Sequence, residues 1–172
     1  MATTLAHQYF LKAQDAFPFE MAEVLENLQY ALSYDEECIG ALCLMGKVQQ
    51  EYLHYYESAE RYLQQALAIE AGNSCALQQL FCLYVKWPRL QKAERLLSYA
   101  QRQAVFSPSY LYTAQGALLE RRGFIKLARN YLQMAQVHAL NDEEQALLNR
   151  EAERLKKQHK AQRKLQKRGI IA

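Results

Sequence analysis

The sequence predicts an all-α protein, an α-solenoid of about four helix-turn-helix repeats followed by a long C-terminal capping helix. Three observations indicate this fold class. Apolar residues recur with helical spacing along the chain, a pattern of small and large apolar residues returns every 34 or 35 residues, and no stretch alternates between apolar and polar residues as a half-buried strand does. With 172 residues, 51% of them hydrophobic, the chain can bury a core without disulfides or metal ions. A helical bundle without true repeats is the alternative.

The repeated unit is a small residue, a leucine four residues later and a second small residue three residues after that. Four-then-three spacing places the three side chains on one helical face, where alanine lets a second helix approach closely. Gly46 and Gly116 lie two repeat lengths apart and are predicted to pack against this face from the preceding helices. The copies are Ala59, Leu63 and Ala66; Ala93, Leu97 and Ala100; and Ala128, Leu132 and Ala135. A weaker first copy has Leu28 and Ala31, with the larger Val24 in the leading position.

Turn and capping residues divide this pattern into nine helices. Pro18, Pro88 and Gly123 fall between paired helices, where chain-breaking residues are expected. Ser107, followed by a proline, is typical of a helix N-cap, and Asn141 begins an acidic segment similar to a capping box. The predicted helices cover residues 5–17, 20–34, 37–54, 57–70, 74–86, 89–102, 108–121, 124–138 and 142–167.

Two domains are predicted, a superhelical repeat domain over residues 1–140 and a capping helix with a basic tail over 141–172. In the last helix, Leu148, Ala152 and Leu155 form an apolar stripe suited to cover the exposed face of the final repeat.

Basic residues follow this stripe and continue almost to the end of the chain, with no acidic residue among them. They leave the rest of the chain acidic, although the formal net charge is +3. A solvated helix is the simplest interpretation. Electrostatic contact with nucleic acid, an anionic membrane or an acidic protein is the alternative. The basic tail consists of Arg154, Lys156, Lys157, Lys160, Arg163, Lys164, Lys167 and Arg168.

A 34-residue helix-turn-helix repeat with this alanine-leucine-alanine signature resembles the tetratricopeptide repeat family. Phe81 stands where the family has a small residue, and the proline that ends a family repeat is missing from every copy. The resemblance implies a short superhelix whose concave face is lined by the first helix of each pair. The fourth copy matches the family pattern best, through Tyr112, Gly116, Leu119, Gly123, Ala128, Leu132 and Ala135.

The resemblance also implies which residues line the concave groove. This lining is mostly apolar, and it suits a partner segment that presents hydrophobic side chains. Packing of some of these residues between neighbouring repeats is the alternative. The implied groove residues are Tyr9, Phe10, Ala13, Cys43, Leu44, Lys47, Gln78, Gln79, Cys82, Tyr110, Thr113, Ala114 and Ala117. Where some family members bind the terminal carboxylate of chaperone peptides, this chain has Tyr9, Ala13, Leu44, Cys75 and Gln79, so no such clamp is expected.

Little in the sequence points to catalysis, a cofactor or a metal ion. The four histidines fall on four different predicted helices, and the chain has no glycine-rich phosphate loop and no metalloprotease motif. The four cysteines form no Cys-x-x-Cys pair, so they are predicted to be small buried hydrophobes, with a disulfide or zinc role as the alternative. No secretory signal or membrane span is recognisable, and a cytoplasmic location is therefore expected.

These features favour a non-enzymatic adaptor or scaffold that binds a partner protein segment in its groove. A dedicated chaperone, similar to those of type III secretion translocators, is the second hypothesis. An RNA-associated repeat protein that uses the basic tail is a weaker third. A neighbouring copy of the chain could also occupy the groove, so a homo-oligomer is possible.

Overall fold

The computed structural model describes residues 4–167, with side chains as far as Lys164. Within this range the regular structure consists of nine helices and no strand. Every predicted helix is present, and the ends differ from the prediction by at most three residues. The helices are α1 (Leu5–Ala16), α2 (Met21–Tyr34), α3 (Ile39–Glu51), α4 (Tyr56–Ile69), α5 (Ser74–Lys86), α6 (Leu90–Arg102), α7 (Pro108–Arg121), α8 (Ile125–Val137) and α9 (Asp142–Lys167).

The chain divides into two compact units. Unit 1 covers Met1–Arg89 and contains α1 to α5, and unit 2 covers Leu90–Ala172 and contains α6 to α9. The boundary falls inside the third predicted repeat, between its two helices. The predicted boundary after residue 140 lies between the repeats and the capping helix, and it does not coincide with the boundary between the compact units. It stays a prediction.

Unit 1 is built from antiparallel helix pairs. Helix α1 packs on α2, α3 packs on α4, and the first helices α1, α3 and α5 follow one another along one side. Leu63 of α4 is fully buried against α3, where a Cβ on Gly46 would lie 2.8 Å from the Leu63 side chain. The missing Cβ therefore lets the two helices approach, as predicted for this glycine.

Unit 2 repeats this arrangement. Helix α7 packs on α8, and α9 then covers α8. Gly116 again faces the second helix of its pair, since an added Cβ would lie 3.3 Å from the Ala128 carbonyl oxygen. Leu148 and Leu155 of α9 are buried in the core of this unit, at 5% and 1% exposure, which confirms the predicted cap.

The two predicted capping side chains, Ser107 and Asn141, are present at the beginnings of α7 and α9. Ser107 Oγ accepts a hydrogen bond from the Tyr110 amide at 3.2 Å. At α9, the Asn141 side chain accepts from the Glu144 amide at 2.8 Å, and the Glu144 carboxylate accepts from the Leu140 amide at 2.8 Å and from the Ser109 hydroxyl at 2.7 Å. Together these two donors lower the pKa of Glu144.

The prediction of four buried cysteines is wrong. Only Cys43 is buried, Cys38 is half-buried, and Cys75 and Cys82 are exposed. Cys75 is the second residue of α5 and Cys82 lies a further two turns along it, and neither position belongs to the face that α5 buries. The sequence pattern identifies helical faces well in α4, α6 and α8, but α5 is apolar on more than one face.

Candidate functional site

The first helices of unit 1 enclose a cleft of about 370 Å³. Its walls come from the last two turns of α1, the outer face of α3 and the beginning of α5, so three segments far apart in sequence meet there. The lining residues are Phe10, Gln14, Phe17, Ile39, Gly40, Cys43, Leu44, Lys47, Asn73, Cys75 and Gln79.

One side of the cleft is apolar and aromatic. The Phe10 ring lies against α3 at Gly40, where an added Cβ would come within 2.8 Å of the ring. Phe17 packs edge-on against Tyr52, with ring centroids 5.6 Å apart. Leu44 is half-buried beside the unit 1 core. These side chains form a hydrophobic surface that stays partly open to solvent.

Lys47 is the only lysine or arginine among the described residues that line this cleft. Its ammonium nitrogen lies 4.8 Å from the centroid of the Phe17 ring, where the electron-rich face attracts a cation. No aspartate or glutamate lines the cleft within the part of the chain that the structure describes. The cleft thus combines an apolar wall with one ammonium group.

The other side of the cleft is polar and contains two thiols. Asn73 caps α5 by accepting a hydrogen bond from the Ala76 amide at 3.0 Å. Gln79 donates through Nε2 to the Cys75 sulfur at 3.1 Å. Interaction with the neighbouring Cys43 side chain, followed by the Gln79 donor and the Lys47 charge, lowers the pKa of Cys75 to about 6 against the opposing effect of burial. The same interaction, together with burial, raises the pKa of Cys43.

The structure brings together five of the predicted groove residues, and these are Phe10, Cys43, Leu44, Lys47 and Gln79. The others lie elsewhere. Tyr9 stacks with Tyr34 beside a neighbouring hollow, Ala13 is fully buried in the unit 1 core, and Gln78 and Cys82 are exposed on α5 outside the cleft lining. Four belong to α7 in unit 2, namely Tyr110, Thr113, Ala114 and Ala117.

Sequence reasoning missed the lining residues that lie at helix ends. Phe17 follows the last residue of α1, Ile39 is the first residue of α3, and Asn73 precedes α5. A repeat pattern reports the middle of each helix, where spacing is regular. Aromatic and capping residues just outside a helix gave no periodic signal, although the Gly-Asn turn before α5 marks one such end.

The basic tail of α9 has two parts. Arg154 makes a bidentate ion pair with Glu120 of α7 at 2.7 Å and a third contact with Glu151, so it fastens the cap to unit 2. Lys156 pairs with Glu153 at 3.0 Å. Lys156 is exposed, as are Lys157, Lys160 and Lys164. Arg163 lines a small hollow with His159, the side chain of Lys167 is not described, and Arg168 lies outside the described residues.

Neither metal-binding nor membrane-spanning features emerge from residues 4–167. In that range no three histidine, cysteine, aspartate or glutamate side chains come together as ligands of one metal ion. Over the same residues, none of the helices combines the length and hydropathy that a bilayer crossing requires.

Comparison with known proteins supports the fold. The chain is similar to a solved structure, MamA from residue 41 to its end, from Desulfovibrio magneticus RS-1, with a TM-score of 0.64 and 14% sequence identity. The similarity covers 94% of this chain and 99% of that chain. No family model matches the chain, and no curated protein matches it either. The chain has an all-α helical-repeat fold.

Proposed function

We propose that this protein is a non-enzymatic adaptor of the tetratricopeptide repeat family, and that it binds a segment of a partner protein in the unit 1 cleft. The observation that carries the proposal is the apolar wall of Phe10, Phe17 and Leu44 beside the Lys47 ammonium. A cleft near the lower end of the usual range for ligand sites, about 300–1,000 Å³, suits a few side chains of a peptide segment.

The expected partner segment has two chemical features. Large apolar side chains would bury the exposed parts of the aromatic wall, and a carboxylate would complement Lys47, because no acidic residue lines the described cleft. We therefore expect a segment with two or more leucine or phenylalanine residues next to a glutamate or aspartate.

Leu44→Asp should weaken binding of such a segment by about ten-fold or more, because it puts a carboxylate on the apolar wall. The measurement is fluorescence anisotropy with a labelled peptide that contains leucine, phenylalanine and glutamate. Leu11→Asp is the matched control, since Leu11 is an exposed apolar residue of α1 that does not line the cleft. Circular dichroism and thermal melting of each variant separate lost binding from lost folding.

Lys47→Glu supplies a second test that does not alter the apolar wall. It should reverse the charge preference, so that the variant favours a peptide with lysine in place of glutamate. An unchanged preference, or equal binding of the peptides to wild type and to Leu44→Asp, would remove this cleft as the binding site.

Binding of the acidic peptide should tighten as pH falls from 7.5 to 5.5. The lowered pKa of Cys75 makes it a thiolate above about pH 6 and a neutral thiol below, so acidification leaves Lys47 without this counter-charge. The peptide glutamate, with an ordinary pKa of about 4.3, stays ionised. Exposed charge pairs contribute about 0.2–1 kcal/mol, so we expect at most about a five-fold gain.

The groups that interact with Cys75 in this experiment are the Cys43 thiol and the Lys47 ammonium, while Glu70 acts on Cys43. Cys75→Ser should flatten the pH dependence of binding, because serine does not titrate in this range. A variant that still shows the full pH dependence would assign the effect to another group.

The dedicated chaperone remains a hypothesis that uses the same cleft. It differs in its consequence for the partner, which would be insoluble when produced alone and soluble when produced with this protein. Co-production of an identified partner with wild type and with Leu44→Asp would distinguish a chaperone from an adaptor.

A further inference from the structure

Two cysteines from different helices of unit 1 lie together at the cleft. Cys43 is buried on α3, and Cys75 is exposed near the beginning of α5. Both line the cleft, and the Cys43 sulfur lies 3.9 Å from the side-chain oxygen of Asn73, two residues before Cys75. No disulfide joins them. One thiol is therefore exposed to solutes, and the other is buried in the lining of the same cleft.

The surroundings of Cys75 favour its thiolate. It is the second residue of α5, where the unpaired amides of a helix N-terminus stabilise negative charge. Gln79 Nε2 donates a hydrogen bond to its sulfur at 3.1 Å, and the Lys47 ammonium adds a positive charge nearby. With a pKa of about 6, Cys75 is mostly ionised at neutral pH.

Cys43 has the opposite character. It is 4% exposed, and its sulfur lies 3.9 Å from the Asn73 side-chain oxygen, toward which its thiol points. Interaction with the Cys75 side chain, followed by burial, raises its pKa, so it stays protonated while Cys75 is reduced. An exposed thiolate next to a protected thiol is the arrangement that thiol-based peroxide sensors require.

We propose that Cys75 is a modification site for hydroperoxides and that Cys43 is its resolving thiol. In the first step the Cys75 thiolate attacks hydrogen peroxide, the O–O bond breaks, and Cys75 sulfenic acid forms with release of hydroxide. In the second step Cys43 sulfur attacks the Cys75 sulfur. The Cys43 proton joins the departing hydroxide as water, and a Cys43–Cys75 disulfide remains. The two sulfurs together lose two electrons, which reduce one peroxide to one water and one hydroxide, and the hydroxide takes a proton from the solvent.

A zinc site explains the pair less well. Structural zinc is held by four ligands, and within the described residues no third histidine, cysteine or carboxylate joins these two thiols. Formation of a disulfide needs only these two sulfurs and the hydroperoxide that accepts their electrons.

The test uses hydrogen peroxide on the full chain in a Cys38→Ser/Cys82→Ser background. Trypsin leaves Cys38 and Cys43 on one peptide and Cys75 and Cys82 on another. Without the two serine substitutions, a disulfide between these peptides could not be assigned to one pair of cysteines. After one equivalent of peroxide and digestion without reductant, we expect the two peptides to be joined and both thiols to be lost. Treatment with dithiothreitol should separate them.

Two further variants in this background assign the roles. With Cys43→Ser, Cys75 should accumulate as sulfenic acid that dimedone traps. With Cys75→Ser, Cys43 should retain its thiol over the same time. Equal loss of Cys43 with and without Cys75, or a sulfenic acid that persists when Cys43 is present, would overturn the assignment.

In the wild type, Cys82 is an exposed residue on the same helix and serves as the comparison. Desolvation of its thiol, followed by the charge of the Glu51 carboxylate, raises the pKa of Cys82. At pH 7, a pKa of about 6 rather than 9.0 raises the thiolate fraction about 90-fold, while intrinsic nucleophilicity falls by about 15- to 30-fold. Iodoacetamide should therefore alkylate Cys75 at least about three-fold faster than Cys82. A slower or equal rate at Cys75 would contradict the proposal, whether or not a peptide binds the cleft.

Discussion

Leu63→Ala should lower the free energy of unfolding of unit 1 by about 2–5 kcal/mol, the range for removing a fully buried leucine. Leu63 is 0% exposed and packs on α3 at Gly46, so its removal leaves a cavity at the contact between the helices of the second pair. Urea denaturation followed by circular dichroism measures this loss.

Ile69→Ala on the same helix is the control. Ile69 is 41% exposed at the last turn of α4, so its truncation should cost less than about 1 kcal/mol. The contact itself can be tested by adding Gly46→Ala, whose new methyl group would meet Leu63 in the wild type but not in Leu63→Ala. The two substitutions together should cost less than the sum of the single effects. Full additivity would contradict the close packing of these two positions.

Leu155→Ala should destabilise unit 2 by a similar amount, about 2–5 kcal/mol. Leu155 is 1% exposed and belongs to a core with Leu132 and Leu148, so its side chain holds α9 on the last repeat. Hydrogen exchange measured by mass spectrometry should show faster exchange in α8 and α9, because the cap no longer protects the apolar face of α8.

Leu147→Ala tests whether this effect depends on burial. Leu147 lies on the same helix, but it is 53% exposed, and its truncation should leave exchange in α8 unchanged. Similar exchange in the Leu155→Ala protein and in the wild type would show that α9 does not act as a cap. The Arg154–Glu120 ion pair at 49% and 21% side-chain exposure adds less than the buried leucines, because solvent screens it.

The amino-acid sequence by itself determined the helices, the pairs α1–α2, α3–α4 and α7–α8, and the burial of the repeat triplets. The small-large-small triplets are all buried, and the predicted caps at Ser107 and Asn141 begin α7 and α9. These features depend on neighbours within about one helical turn and on a repeated packing partner. For that reason, periodicity and capping residues predict them without knowledge of long-range contacts.

Only the tertiary structure decided which side chains share the cleft and how their chemistry changes. Cys43 and Cys75 are 32 positions apart, and neither shows a motif, yet the packing of α3 beside α5 makes one a buried donor and the other an exposed thiolate. Lys47 meets Phe17 because α1 packs beside α3. The energies of such contacts depend on distances of a few ångströms and on burial. Both are set by how the helices pack, and that packing leaves no local pattern in the chain.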